Sequence, residues 1–264
     1  MLDIIWKTAF LCTVASAAVT PLAGQSAADH MAMGVAANEA RDPGMAIVHF
    51  RAALRQDPSS YEANWRAAMT LLDLTELLPD SLRRARRDSL YALAERHATR
   101  AVGANSVGAD GHFALAAAVG TGSILLGPEA RVRRAGLIRQ EALKAIELNP
   151  RHDGAYHIVG RWNAEIMRLS GVSRFFARNF LGASVFKQAS WKKATAYMEK
   201  AVQLDPRRIQ HHLELAKIYA DRNRGADAEA QLHLVESLPV RGVTDSILKR
   251  QGAELRRKLA RMSS

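Results

Sequence analysis

The stretch "AIVHFRAALRQDP", residues 46–58, decides the fold. Its apolar residues Ala46, Ile47, Phe50, Ala53 and Leu54 recur three and four apart, the period of one helix face. Pro58 then ends the helix, because proline lacks the amide hydrogen and clashes with the preceding turn. Two further segments share the design: "ATAYMEKAVQLDP" (194–206) and "IRQEALKAIELNP" (138–150). In each, a small residue stands five places before the proline: Ala53, Ala201 and Ala145.

A recurring helix of this kind implies a repeat, and the spacing supports one. The pattern resembles the tetratricopeptide unit, a helix–turn–helix of about 34 residues with small residues at positions eight, twenty and twenty-seven. Position eight falls on Gly34, Ala68, Ala116, Gly160 and Ala216. Position twenty falls on Ala46, Ala94, Ile138, Ala194 and Ala228, and position twenty-seven on Ala53, Ala101, Ala145, Ala201 and Val235. Every gap from position twenty to the next position eight is 22 residues. Within a repeat the gap from eight to twenty is 12, 26, 22, 34 and 12 residues. The connection between repeats is therefore fixed, and the loop inside repeats two, three and four is expected to have grown.

The expected fold is all-α, a helical solenoid of about five helix pairs. The pairs span 27–60, 61–108, 109–152, 153–208 and 209–242, and the helix of 243–264 caps the last one. Gly160, in "YHIVGRWN" (156–163), is read as a close helix crossing, because glycine inside a helix costs about 1 kcal/mol unless packing offsets it.

Composition agrees with helices. Hydrophobic residues make up 48% and aromatics only 6%, so the strand-favouring types are scarce. The net charge is +11, and 28 of the 37 basic residues are arginine. Such a balance suits an anionic partner or an arginine-rich background. Cys12 is the sole cysteine, which excludes an intramolecular disulfide and a thiolate metal site.

Residues 1–28 read as a signal peptide or N-terminal anchor. Lys7 precedes "TAFLCTVASAAV" (8–19), an apolar run too short for an ordinary bilayer span. Ser26-Ala27-Ala28 and Ala15-Ser16-Ala17 are candidate cleavage sites. The expected location is exported, periplasmic or cell-envelope associated.

The second half resembles one family more closely. Tyr156-His157-Ile158-Val159-Gly160-Arg161-Trp162 is similar to the "H-x-x-G-R-W" signature of the regulator of microtubule dynamics family. Leu169-Ser170, "VSRFFARNFLG" (172–182) and Lys200-Ala201-Val202-Gln203-Leu204-Asp205-Pro206 follow in the family's order. Gly171 departs from it, since tryptophan is common there. The resemblance implies a non-catalytic helical repeat protein. Eukaryotic members associate with microtubules or organelle membranes, whereas bacterial-type relatives are exported.

Two surfaces are candidates for a partner. First-helix positions two, five, nine, twelve and thirteen should line a concave groove, giving Met31, Val35, Asn38, Trp65, Met69, Asp73, Phe113, Ala117, His157, Arg161, Glu165, Lys217 and Asp221. There Trp65, Met69 and Phe113 would take apolar side chains of a protein segment, and Arg161 and Lys217 its carboxylates; alternatively Arg161 pairs with Glu165 one turn on. The second surface is the basic edge of the insertions: Arg83, Arg84, Arg86, Arg87, Arg131, Arg133, Arg134, Arg174 and Arg178. It would suit an anionic membrane surface, unless these arginines only decorate extended second helices. Nucleic acid is disfavoured, because no exposed aromatics interleave with the basic residues.

The histidines look scattered. His211-His212-Leu213-Glu214 is not a zinc-protease motif, and neither a nucleophile elbow nor a phosphate loop occurs. Gly120-Thr121-Gly122-Ser123 reads as a hinge into the third repeat's insertion. No enzyme, cofactor or metal site is expected.

Overall fold

The computed structural model describes residues 25–79, 83–123, 126, 128–170 and 184–263. Among these residues there is no strand. Among the described residues eleven α-helices follow one another: α1 (Ala27–Glu39), α2 (Pro43–Gln56), α3 (Tyr61–Leu77), α4 (Arg83–Ala104), α5 (Ala109–Gly122), α6 (Pro128–Leu148), α7 (Asp153–Arg168), α8 (Trp191–Leu204), α9 (Ile209–Asp221), α10 (Gly225–Ser237) and α11 (Asp245–Ser263). A 3₁₀ turn, Ser184–Gln188, precedes α8. The array is the expected solenoid of five helix pairs with a capping helix.

Small residues set the crossings. Ala68, Ala116 and Ala216 at position eight are fully buried, as are Ala46, Ala94, Ala194 and Ala228 at position twenty. At Gly160 a Cβ would lie 3.0 Å from the backbone nitrogen of Met198 and 3.2 Å from the carbonyl oxygen of Ala194. Helix α7 thus rides directly on the backbone of α8, and any side chain at 160 would push the two apart. Gly34 meets the Phe50 ring in the equivalent place, where a Cβ would sit 2.5 Å away.

The insertions correct one expectation. Those of repeats two and three lengthen helices more than loops: α4 runs 22 residues and α6 runs 21, against 14 for α2 and α8; most of the insertion of repeat four lies outside the described residues. Alanine, leucine and arginine are strong helix formers, so added residues of this type extend what precedes or follows them. Gly120 to Gly122 are the last turn of α5 and Ser123 its C-cap, with the Ser123 hydroxyl donating to the Val119 carbonyl at 2.5 Å. They form no hinge.

Helix ends follow ordinary capping chemistry. Ser26 caps α1 in a box with Asp29, Ser60 caps α3 and Ser190 caps α8. The two insertion-free repeats turn tightly through a left-handed residue, Arg41 (φ 62°) and Asn223 (φ 57°). Asparagine tolerates that region, and arginine is strained there. Arg41 also reaches across the array, its guanidinium 3.4 Å from the Val240 carbonyl in the loop after α10. The solenoid is curled enough for its first turn to meet its final loop.

Helix α11 seals the end. Leu248, Leu255 and Leu259 pack over Ile209, Leu213, Ala216, Leu232 and Val235. A Cβ on Gly252 would stand 2.7 Å from Val235, so α11 sits close against α10. The Asp245 carboxylate accepts from the amides of Arg241 and Gly242 and fixes the entry to this helix.

Candidate functional site

First helices of successive repeats touch one another, α3 with α5, α5 with α7, and α7 with α9. They form the inner, concave wall, and the second helices lie outside it.

Inside each repeat a buried or partly buried pair joins position four of the first helix to position twenty-three of the second. His30 Nδ1 lies 3.3 Å from His49 Nδ1. His97 Nδ1 donates to Asn64 Oδ1 at 2.9 Å, while Asn64 Nδ2 donates to the Pro58 carbonyl at 3.0 Å. His112 Nδ1 meets Glu141 Oε2 at 2.6 Å, and its Nε2 donates to the Ser106 carbonyl at 2.9 Å. Repeat four substitutes two rings, Tyr156 and Tyr197, with centroids 6.0 Å apart. In repeat five His212 contacts Gln231 at 2.7 Å and donates to the Pro206 carbonyl at 2.8 Å. In repeats two, three and five the position-four residue thus also satisfies a carbonyl of the turn entering its helix. The histidines are not scattered; most of them occupy two columns. The signal was in the repeat frame, at columns that the small-residue pattern does not use.

The concave wall of repeats four and five is a charged network. Arg168 gathers three carboxylates: Asp221 at 2.8 Å, Glu165 at 2.7 Å and Glu214 at 3.0 Å. Burial opposes the Arg168 charge, but Glu214 and Asp221 outweigh it and raise its pKa. His211 Nε2 donates to Asp153 Oδ2 at 2.9 Å, and its Nδ1 lies 3.0 Å from His157 Nδ1. Burial holds His157 well below its ordinary pKa, helped by the charges of His211 and Arg161. Burial pushes the Asp153 carboxyl up, but the hydrogen bond from His211 and the Arg208 charge outweigh this and hold it low. Asp73, from the second repeat, is pushed up to about 6 by burial, against the pull of Arg208. That Arg208 and Asp245 both act on Asp73 shows how tightly the array curls.

The expected groove residues divide. Trp65 and Met69 are half-buried and pack on the core of repeat two, with the Arg66 guanidinium 4.5 Å over the Trp65 ring. Phe113 leans on His152, with ring centroids 4.5 Å apart, and covers Gly154. His157 is buried. Lys217 lies 3.5 Å from Glu214. Arg161 is exposed and does not pair with Glu165, which Arg168 takes instead. At the basic edge, Arg86, Arg131 and Arg133 are exposed, and Arg134 pairs with Glu95. Arg87 is partly buried. Arg174, Arg178 and the side chains of Arg83 and Arg84 lie outside the described residues, as does "VSRFFARNFLG".

In the "YHIVGRW" stretch (156–162) nearly every marked residue has structural work. Tyr156 faces Tyr197, His157 meets His211 and Gly160 admits α8. Trp162 donates from Nε1 to the Ala135 carbonyl at 2.8 Å and packs edge-on against Phe186. Arg161 is the one charged side chain among them, and it forms no hydrogen bond or ion pair with the described residues.

Comparison with known proteins agrees with this geometry. Residues 26–260 match the family model described as Regulator of microtubule dynamics protein 1-3. Regulator of microtubule dynamics protein 1 of Bos taurus is 25% identical over 197 residues, covering 74% of this chain and 61% of the relative. The Homo sapiens protein of that name is 25% identical over 192 residues, covering 72% and 60%. This chain thus spans about three fifths of the curated relatives it matches. Among solved structures, a thermophilic TPR protein of Thermus thermophilus superposes with a TM-score of 0.62 at 19% identity, over 87% of this chain and 98% of that one. That likeness shows the fold.

Proposed function

The chain belongs to the regulator of microtubule dynamics protein 1-3 family, and we propose that it is a non-catalytic scaffold that holds an extended segment of a partner protein along its concave face. The unpaired Arg161 carries this reading. Its neighbours in the signature are all used to build the fold, and the adjacent carboxylates are already neutralised by Arg168. A cation left over in such a wall is available for a carboxylate of the partner. Trp65 and Met69, half-exposed on the same wall two repeats away, suit apolar side chains of the same segment.

Export belongs to the same proposal. Among the described residues no helix is long and apolar enough to cross a membrane. Cleavage after Ala28 would remove Ser26, the N-cap of α1, at a cost of about 1 kcal/mol. The earlier site, Ala15-Ser16-Ala17, leaves that cap in place.

Affinity capture of the tagged chain from the envelope of its own cells, read by mass spectrometry, tests the groove. The doubly substituted Trp65→Ala/Arg161→Ala chain is expected to lose its main partner by at least about tenfold, since two anchors of this type each carry more than 1 kcal/mol. Equal recovery by a folded double variant overturns the groove as the binding site.

A further inference from the structure

The outer face of repeats one and two carries four exposed arginines without carboxylate partners among the described residues: Arg51 and Arg55 on α2, Arg96 and Arg100 on α4. Each pair is spaced i, i+4, so two like charges stack on one helix face. Such stacking destabilises a helix, where an opposite pair would stabilise it. Several arginines elsewhere do find carboxylates, Arg66 with Glu62, Arg134 with Glu95, Arg208 with Asp153, Arg224 with Asp227 and Arg256 with Glu229 and Glu236; what sets this face apart is two stacked pairs of arginines on neighbouring helices. The two helices are neighbours: Ile47 of α2 packs on the core cluster that holds Ala94 and Ala98 of α4, and Arg51 acts electrostatically on the buried His97 ring of α4.

Apolar side chains adjoin the charges. Met45 and Val48 continue the exposed stripe of α2 beyond Arg51 and are 49% and 46% exposed. Gln56, next to Arg55, donates to the Gln25 carbonyl at 2.9 Å, so residue 25 lies beside this face. The apolar run of residues 8–19 precedes that point in sequence.

We propose that this outer face, Met45, Val48, Arg51, Arg55, Arg96 and Arg100, is the surface by which the chain lies on an anionic lipid bilayer. The arginines meet the headgroup charge, and the two apolar side chains enter the headgroup boundary. Exposed apolar residues beside a basic patch fit a lipid surface. A single-stranded nucleic-acid surface would call for aromatic stacking, which the patch lacks, and a duplex surface has no use for the exposed Met45 and Val48. The patch lies on the opposite wall from Arg161, so a membrane-bound chain keeps its groove open.

Co-sedimentation of the full chain with phosphatidylcholine vesicles, plain or with one third phosphatidylglycerol, tests the proposal. The parent should bind the anionic vesicles more tightly than the neutral ones, and added salt should reduce the difference. Replacing the four arginines with glutamine should weaken binding to anionic vesicles by at least about thirtyfold, as each contributes roughly fivefold near such a surface. A control, Arg207→Gln/Arg250→Gln/Arg257→Gln/Lys258→Gln, removes the same charge from exposed sites elsewhere and should change binding by less than about threefold. Equal loss in both variants would reduce the effect to net charge and overturn the patch. Equal binding to neutral and anionic vesicles would overturn it too, as would a patch variant that loses duplex DNA but keeps vesicles. Circular dichroism of both variants confirms that they fold.

Discussion

Replacing His97 with glutamine is expected to destabilise the protein near pH 7 and to stabilise it near pH 4. His97 is 6% exposed, and its Nδ1 donates to Asn64 Oδ1. Burial, reinforced by the charges of Arg100, Arg51 and Arg96, pulls its pKa down to about 4, from an ordinary 6.5. Between those values the unfolded chain binds a proton that the folded chain refuses. The contribution of a neutral His97 is therefore complete above the ordinary pKa and is lost as the pH falls toward the folded one. A window of that width corresponds to about 3 kcal/mol. Glutamine can make the same hydrogen bond and does not titrate. The stability difference between parent and His97→Gln should thus shift by about 3 kcal/mol between pH 7 and pH 4, with its sign reversed. His157 and His211, both held below their ordinary pKa by burial, push the whole protein in the same direction. Asp73 acts oppositely: its raised pKa lets the folded chain hold a proton, between about 4 and 6, that the unfolded chain has released. These contributions cancel in the comparison of variant with parent. Urea unfolding at several pH values measures it, and a difference independent of pH contradicts the assignment.

His112→Ala is expected to cost about 3–5 kcal/mol. It strands the Glu141 carboxylate, 7% exposed, and the Ser106 carbonyl that closes the turn into α5. The double substitution His112→Leu/Glu141→Leu removes both polar partners together and should recover to within about 2 kcal/mol of the parent, because the larger cost lies in leaving one partner buried alone. Thermal and urea unfolding of the three proteins decide the matter. A single variant that loses less than about 1 kcal/mol would mean the pair is accessible to water.

The two readings differ in how visible they were in the amino-acid string. The small residues at positions eight, twenty and twenty-seven were legible because steric exclusion leaves one chemical type, and a constant 22-residue gap repeats it. The buried pairs at positions four and twenty-three use His, Asn, Glu, Gln and Tyr interchangeably. Hydrogen-bonding capacity is kept there while residue identity varies, so no single letter marks the column. The growth of α4 and α6 was hidden for another reason. Charged segments rich in arginine and alanine read equally well as loop or as solvated helix, and packing along a neighbour decides. Contacts such as Arg41 with Val240 depend on the summed curvature of five repeats, which local spacing does not encode. At the candidate site, Arg161 was legible as a concave residue, but its isolation was not. Only the geometry shows that Arg168, rather than Arg161, takes Glu165.

Equilibrium unfolding of Gly160→Ala beside Gly136→Ala bears most directly on the claim that stacked helix pairs meet at fixed small-residue crossings. Both glycines lie inside helices, and alanine should stabilise either helix by about 1 kcal/mol on propensity alone. At Gly136 nothing lies within 4 Å of the new carbon, whereas at Gly160 the backbone of α8 blocks it. Gly136→Ala is therefore expected to be more stable than the parent, and Gly160→Ala less stable by about 1–3 kcal/mol. A Gly160→Ala protein as stable as Gly136→Ala would contradict the crossing, and with it the repeat frame from which the groove is read.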